Sequence, residues 1–135
     1  MSVSELILAD IARPSSGMLF QDVQAHAEIV QGDLSDTGYC RALFQGAQGP
    51  VSVFHLGAVM SGTGESDFDL AMRVNLHGTL QMLEAARHCS APRPRFVMAS
   101  AGATLGAGAS TDFLSKDDTV ADSTRATPHT TYVHA

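Results

Sequence analysis

Residues 51–58 read Val51-Ser52-Val53-Phe54-His55-Leu56-Gly57-Ala58, a short apolar run between two turn signals. Gly49-Pro50 precedes it, and Gly57 follows its last large side chain. A run this short, bounded by glycine and proline, is typical of a strand buried in a sheet. The chain has three comparable runs, at Glu5–Asp10, Glu28–Asp33 and Arg95–Ser100.

Helical spacing separates these runs. Asp36 to Gln45 carries apolar residues on one face, and a longer segment runs from Ser66 or Asp67 to His88 before Pro92 and Pro94. Strands that alternate with helices require crossover connections, which make neighbouring strands parallel. The sequence therefore predicts an α/β fold, a Rossmann-like parallel sheet with crossover helices.

Composition excludes several classes of protein. The 135 residues hold 8 Lys+Arg against 14 Asp+Glu, and a net charge of -6 argues against a nucleic-acid surface. We also expect no membrane span, no secretory signal and no metal site, because long apolar stretches, a basic amino-terminal region and Cys/His clusters are missing. Cys40 and Cys89 are expected to be reduced and buried, which predicts a cytoplasmic protein.

Every predicted strand ends in a small or acidic residue. These ends are Asp10, Gly32-Asp33, Gly57-Ala58 and Ser100-Ala101-Gly102. Ligands of parallel sheets bind beyond the carboxyl ends of the strands, so the pattern favours a nucleotide crevice, although acids and glycines also simply begin turns. A carboxylate at Asp10 can accept hydrogen bonds from the ribose hydroxyls of NAD and repel a 2′-phosphate, whereas Arg13 can accommodate one.

Five segments carry a resemblance to a known family. They are Leu8-Ala9-Asp10, Gly32-Asp33-Leu34-Ser35-Asp36, Val53-Phe54-His55-Leu56-Gly57-Ala58, Val74-Asn75-Leu76-His77-Gly78-Thr79 and Phe96-Val97-Met98-Ala99-Ser100. In order and spacing they resemble the extended short-chain dehydrogenase/reductase superfamily, in its NAD-dependent epimerase/dehydratase branch, over about residues 4–132. Val59-Met60-Ser61-Gly62 and Asp67-Phe68-Asp69 look most like the D-erythronate dehydrogenase group.

The resemblance implies a role for individual residues. Asp10 would hold the adenosine ribose, and Asp33 with Leu34 would contact the adenine. Leu56, Gly57 and Ala58 would pass along the ribose and pyrophosphate, with Ser100 at the last strand end. Asn75 would help to order the active site, unless it only satisfies a local backbone group. Tyr132 would stand at the position of the catalytic tyrosine.

The chain also departs from the family pattern. The resemblance implies an opening strand, a G-x-x-G-x-x-G turn and a first helix, none of which is found before Glu5. The catalytic lysine would fall beyond Ala135, and Ala101 stands where the family has Ser or Thr. We therefore expect NAD binding to be weak or lost. The strands at Glu5–Asp10 and Val51–Leu56 would face an empty slot or pair directly.

Three functions remain open. The first is a partial NAD-binding domain at 1–106 with a polar tail at 107–135, catalytically impaired, whose parent oxidises or epimerises a small sugar acid or a nucleotide sugar. The second is a working subunit completed by another chain. The third is a non-enzymatic binding module, with a homodimer through the helix at 66–89. Ser61, Gly62 and Thr63 are candidate substrate contacts.

Overall fold

The computed structural model describes residues 3–15, 17, 19, 21–47 and 49–101. Its strands are β1 (Leu6–Asp10), β2 (Ala27–Gln31), β3 (Ser52–His55) and β4 (Arg95–Met98). Its α-helices are α1 (Gln21–His26), α2 (Thr37–Ala42), α3 (Ser61–Ser66), α4 (Phe68–Ala71) and α5 (Thr79–His88). A π-helical segment, Met72–Gly78, joins α4 to α5.

The strands form two parallel pairs. β1 pairs with β2 from Leu6 opposite Ala27 to Asp10 opposite Gln31, and β3 pairs with β4 from Ser52 opposite Arg95 onward. Within the described ranges, no ladder joins one pair to the other. The predicted parallel α/β fold is confirmed. β1 and β3 were expected either to face an empty slot or to pair directly, and in the described residues they do not pair.

One helical layer covers the sheet. α2 packs against α5, and the core lies between these helices and the strands. Its buried members are Cys40, Phe44, Met82, Ala85 and Ala86, with Leu34, Tyr39, Leu43, Val51, Val53, Cys89 and Phe96 packed around them. Cys40 is fully buried and Cys89 half-buried, and both thiols are free. Burial raises the pKa of the Cys40 thiol.

Side-chain caps begin two of the helices. Asp36 Oδ1 accepts hydrogen bonds from the Gly38 and Tyr39 amides at the start of α2. Asp67 Oδ1 accepts from the Leu70 amide at the start of α4. Such caps satisfy amides that have no partner inside the helix. These caps explain why the predicted starts of both helices lie within a residue or two of the observed starts.

Tyr39 fixes α2 to the end of β2. Its hydroxyl donates to the Val30 carbonyl at 2.9 Å, and its ring lies where a side chain at Gly32 would project. The absence of a Cβ at Gly32 therefore permits the close approach of strand and helix.

The structure differs from the sequence prediction at four places. The helices α1 and α3 were not predicted, and the long helix is interrupted by the π-helical segment. β4 ends at Met98, so Ser100, the end of the predicted strand, lies beyond it. The proposed tail at 107–135 lies outside the described residues.

Among the described residues, the sheet face opposite the helical layer is apolar and uncovered. Phe54 is 69% exposed and Val97 is 51% exposed, whereas His55, on the other face of β3, is buried. Parallel sheets are normally covered on both faces. In the part of the chain that the structure describes, no helix is long and apolar enough to cross a membrane.

Candidate functional site at the carboxyl ends of the strands

Leu34 joins the carboxyl ends of the two sheets. It follows β2 and lies between Gly57, which follows β3, and Gly78, at the end of the π-helical segment. A Cβ on Gly57 would stand 2.9 Å from Leu34 Cδ1, and one on Gly78 would stand 3.2 Å from Leu34 Cβ. Two glycines thus leave the space that Leu34 occupies, so the ends of β2 and β3 share one edge of the fold.

Asn75 holds the loop that follows β3. Its Oδ1 accepts from the Val59 amide at 2.7 Å, and its Nδ2 donates to the Val59 carbonyl at 3.1 Å. A side-chain amide that bonds both backbone groups of one residue imitates a strand partner. Because Val59 is sixteen positions away, Asn75 fixes a distant loop rather than a local backbone group.

A second pair of hydrogen bonds connects Asn75 to β3. Thr79 Oγ1 donates to the Asn75 carbonyl at 2.6 Å, and it lies 2.8 Å from His55 Nε2. Since the hydroxyl proton is used on the carbonyl, Nε2 must donate to Thr79, which assigns the Nε2-protonated tautomer to a neutral His55. Burial lowers the pKa of His55 and keeps the ring neutral.

The π-helical segment explains how these bonds coexist. Asn75 lies inside Met72–Gly78, where the turn is wider than in an α-helix. The Thr79 hydroxyl accepts from His55 and satisfies the Asn75 carbonyl at the same time. π-Helical turns occur often at functional sites. Here the turn directs the Asn75 side chain to Val59.

Two carboxylates lie at the ends of the first sheet. Asp10 Oδ1 accepts from the Ala12 amide at 2.9 Å, and Asp33 Oδ1 accepts from the Ser35 amide at 2.8 Å. The hydrogen bonds from Ser35 lower the pKa of Asp33. Both residues form tight turns after their strands, the ordinary role of aspartate there. Asp10 is exposed, so its carboxylate is accessible to a ligand.

The predicted site residues fall into three groups. Leu34 and Gly57 are in contact, Asp33 precedes Leu34, and Asn75 is tied to the same loop. Asp10, Leu56, Ala58 and Ser100 are exposed at strand ends or just beyond them. Tyr132 lies outside the described residues.

Sequence reasoning missed three residues of this site, His55, Thr79 and Gly78. His55 lies inside a short apolar run, which gives no signal of a role in the site. The available signal was Thr79 four residues after Asn75, because threonine inside a helix commonly bonds the carbonyl one turn earlier. Gly78 gave no signal beyond an isolated glycine in a helix.

The donor groups suit one half of a dinucleotide. The exposed carboxylate of Asp10 can accept hydrogen bonds from a ribose, and the absence of a side chain at Gly57 permits a close approach of the backbone to a ligand. The described residues do not contain a cluster of side chains fit to hold a metal ion.

Comparison with known proteins agrees with this geometry. Residues 9–135 match the model of the NAD dependent epimerase/dehydratase family. The chain is 38% identical over 106 residues to D-erythronate dehydrogenase of Cupriavidus necator and 35% identical over 81 residues to that of Haemophilus influenzae. These matches cover 78% and 60% of this chain but only 30% and 23% of the relatives, so it spans under a third of their length.

A solved structure shows the same architecture. A mutant of uronate dehydrogenase from Agrobacterium tumefaciens, complexed with NAD, superimposes with a TM-score of 0.57 at 30% sequence identity. The alignment covers 76% of this chain and 34% of that protein. The predicted Rossmann-like fold and the suspected group of sugar-acid dehydrogenases are both confirmed as similarities.

Proposed function

The chain belongs to the NAD dependent epimerase/dehydratase family, and on this premise we propose that it forms the adenosine-binding part of an NAD-linked sugar-acid dehydrogenase. The observation that carries the proposal is the edge where Leu34, Gly57 and the Asn75-anchored loop meet at the carboxyl ends of the strands. A nucleotide in this fold binds at that edge.

The proposed contacts follow the family positions. Asp10 accepts from the ribose hydroxyls, Asp33 and Leu34 line the adenine, and the main chain at Gly57 approaches the cofactor. Leu56, Ala58 and Ser100 border the same crevice. The Asn75–Val59 bonds support the proposal, because they hold the loop after β3 in one conformation.

We expect these residues to bind and orient the cofactor without completing the reaction. Bound NAD supplies a hydride acceptor. Tyr132 stands at the proposed catalytic position, where its hydroxyl would exchange a proton with the substrate oxygen. Ala101 offers no hydroxyl to polarise a substrate oxygen. Catalysis by these residues alone is therefore impaired.

The substrate proposal comes from the relatives. They are named D-erythronate dehydrogenase and uronate dehydrogenase, so we propose a secondary alcohol of a small sugar acid as the group oxidised by the complete protein. Residues 1–106 form the proposed cofactor-binding part and residues 107–135 a separate polar segment. The two free thiols agree with a reducing compartment, the cytoplasm.

Saturation-transfer NMR with NAD tests the cofactor proposal. We expect saturation of the adenine and ribose protons and little of the nicotinamide protons, with NADP bound more weakly because its 2′-phosphate is close to Asp10. Asp10→Ala should weaken NAD binding about tenfold, which corresponds to roughly 1.4 kcal/mol. Asp22→Ala, an exposed carboxylate in α1, is the control and should leave binding unchanged. Equal losses in both variants, or saturation confined to nicotinamide, would contradict the proposal.

A second function rests on three exposed apolar side chains. Phe68, Leu80 and Leu83 are 55%, 51% and 41% exposed along the α4–α5 segment, and one alternative is a binding module that dimerises through residues 66–89. Light scattering tests it, with Leu80→Glu as the disrupting variant and Leu56→Glu, equally apolar but after β3, as the control. A monomer at high concentration would exclude the dimer.

A further inference from the structure

The three residues that follow β3 bury no side chain of their own. Leu56, Gly57 and Ala58 are all exposed, and the exposed fraction of Leu56 is 71%. A segment of this kind has few buried contacts that could fix its main chain. Its conformation therefore depends on what holds its two ends, at His55 and Val59.

Both ends are bonded to the same part of the helical layer. At the first end, His55 Nε2 donates to Thr79 Oγ1 at 2.8 Å. At the second end, the Asn75 side chain bonds the amide and the carbonyl of Val59. The Thr79 hydroxyl donates to the Asn75 carbonyl at 2.6 Å. These bonds form a closed circuit that contains the exposed segment, and Thr79 joins its strand part to its helix part.

Thr79 also determines the course of the main chain at Asn75. In an α-helix the amide of residue 79 donates to the carbonyl of residue 75. Here the Thr79 amide donates to the Leu76 carbonyl, and the Thr79 hydroxyl bonds the Asn75 carbonyl instead. The hydroxyl thus gives this carbonyl a donor within the wider π-helical turn. The turn in its present form directs the Asn75 side chain to Val59.

His55 fixes the direction of the Thr79 hydroxyl. A hydroxyl has a single proton and can rotate about its bond. Because His55 Nε2 donates to the oxygen, the Thr79 proton is directed to the Asn75 carbonyl. The His55 side chain is buried, and its ring lies 5.7 Å from the Phe96 ring of β4, measured between centroids. The sheet therefore holds the donor in place.

We infer that His55 and Thr79 are positioning residues for segment 56–58, and that Thr79 acts through Asn75. Their effect on a cofactor rests on the proposed function, in which this segment passes along the ribose and pyrophosphate of NAD. Loss of the Thr79 hydroxyl should release Val59 and leave the segment held at one end only. The contact between α2 and α5 should persist, because it does not use this hydroxyl.

Thr79→Val in the whole chain tests this positioning role. Valine has the shape of threonine without the hydroxyl, so His55 Nε2 loses its acceptor and the Asn75 carbonyl loses its donor. We expect hydrogen exchange of the Val59 amide to become about tenfold faster relative to the Cys40 amide, which donates to the Asp36 carbonyl in α2. Thr79→Ser retains a hydroxyl and should restore the ratio of the unsubstituted chain.

Thr37→Val is the matched control. The Thr37 hydroxyl donates to Gln81 Oε1 at 3.0 Å, between α2 and α5. The same substitution therefore removes a hydroxyl hydrogen bond to the same helix but leaves the circuit intact. The exchange ratio of Val59 to Cys40 should stay as it is in the unsubstituted chain.

Titration with NAD gives a second measurement. Thr79→Val should bind NAD about tenfold more weakly, whereas Thr79→Ser and Thr37→Val should bind it as the unsubstituted chain does. The double variant Thr79→Val/Asn75→Ala should bind NAD no more weakly than Asn75→Ala alone, because one residue acts through the other.

The tautomer of His55 needs no variant and therefore tests the circuit even if Thr79→Val does not fold. Nitrogen NMR shifts of the imidazole should show a proton on Nε2. A proton on Nδ1 alone would overturn the inference, because Nε2 would then need the Thr79 proton that the Asn75 carbonyl accepts.

Three other results would also overturn it. They are equal acceleration of exchange at Val59 and Cys40 in Thr79→Val, the same change of ratio in Thr37→Val, and additive losses of NAD binding in the double variant. Failure of the unsubstituted chain to bind NAD contradicts the proposed function instead. The exchange ratio and the tautomer are measured without NAD, so they decide the positioning role in that case too.

Discussion

Asn75→Ala removes the side chain that holds the loop after β3. Two hydrogen bonds are lost, to the Val59 amide and to the Val59 carbonyl, at 2.7 and 3.1 Å. A net contribution of about 0.5–1.5 kcal/mol for each bond gives a loss of about 1–3 kcal/mol in the free energy of unfolding. The corresponding fall in Tm is roughly 4 °C for each kcal/mol in a domain of this size.

Asn75→Asp separates the two bonds. The carboxylate still accepts from the Val59 amide, but it cannot donate, and it places a negative charge against the Val59 carbonyl. We therefore expect the Val59 amide to stay protected from hydrogen exchange in Asn75→Asp and to lose protection in Asn75→Ala, while both variants lose stability. Urea unfolding and NMR-detected exchange measure the two effects.

Gln31→Ala is the control for this experiment. Gln31 Nε2 donates one exposed hydrogen bond to the Ile11 carbonyl at 3.1 Å, and such a surface change alters stability by less than about 0.5 kcal/mol. The reasoning is refuted if Asn75→Ala is no less stable than Gln31→Ala, or if exchange at Val59 is the same in all three variants and the unsubstituted chain.

Three further predictions concern the same region. Gly32→Ala should lower the free energy of unfolding by about 1–3 kcal/mol, the usual cost of overpacking, because its Cβ would overlap the Tyr39 ring. Urea unfolding measures this loss, and an unchanged free energy of unfolding would contradict the packing. Gly57→Ala should cost less than about 1 kcal/mol, because only the flexible end of Leu34 must move, and a chemical-shift change confined to Leu34 and its neighbours checks this. Burial lowers the pKa of His55 below its usual 6.5 in the folded chain, so the unfolded chain binds the proton more tightly. The free energy of unfolding should therefore fall as the pH decreases from about 6.5 toward the folded pKa. His55→Gln should flatten this dependence when unfolding is measured from about pH 8 to 5.

Strand positions were the most predictable part of this fold. Glu5–Asp10 was expected and Leu6–Asp10 found, because an apolar run that ends in an acid has few alternatives. The helix α3 was missed, since Ser61–Ser66 contains two glycines and no apolar side chain, and it begins without a side-chain cap. Local propensity gives no signal for such a helix.

The arrangement of the site was less predictable than its members. Sequence reasoning named Leu34, Gly57 and Asn75 by family position, but it could not show that Leu34 fits between Gly57 and Gly78 or that Asn75 reaches Val59. The first depends on the packing of the loop after β2 against the connection that follows β3, and the second on a contact sixteen residues apart within that connection. The π-helical turn that contains Asn75 also has no sequence pattern of its own, because its hydrogen bonds span only one residue more than those of an α-helix.

The proposed adenosine site has one part packed against the helical layer and another part at the end of β1. Leu34, Gly57 and Asn75 are fixed by contacts with the helical layer, whose core lies beside them. Asp10 is the last residue of β1, which among the described residues pairs with β2 alone. A strand with an open edge is held by hydrogen bonds on one side alone, so its end is ordered less firmly than the end of a central strand. We therefore expect the proposed ribose contact at Asp10 to be held less firmly than the proposed adenine contact at Leu34, so the adenine ring should be the better-held part of the cofactor.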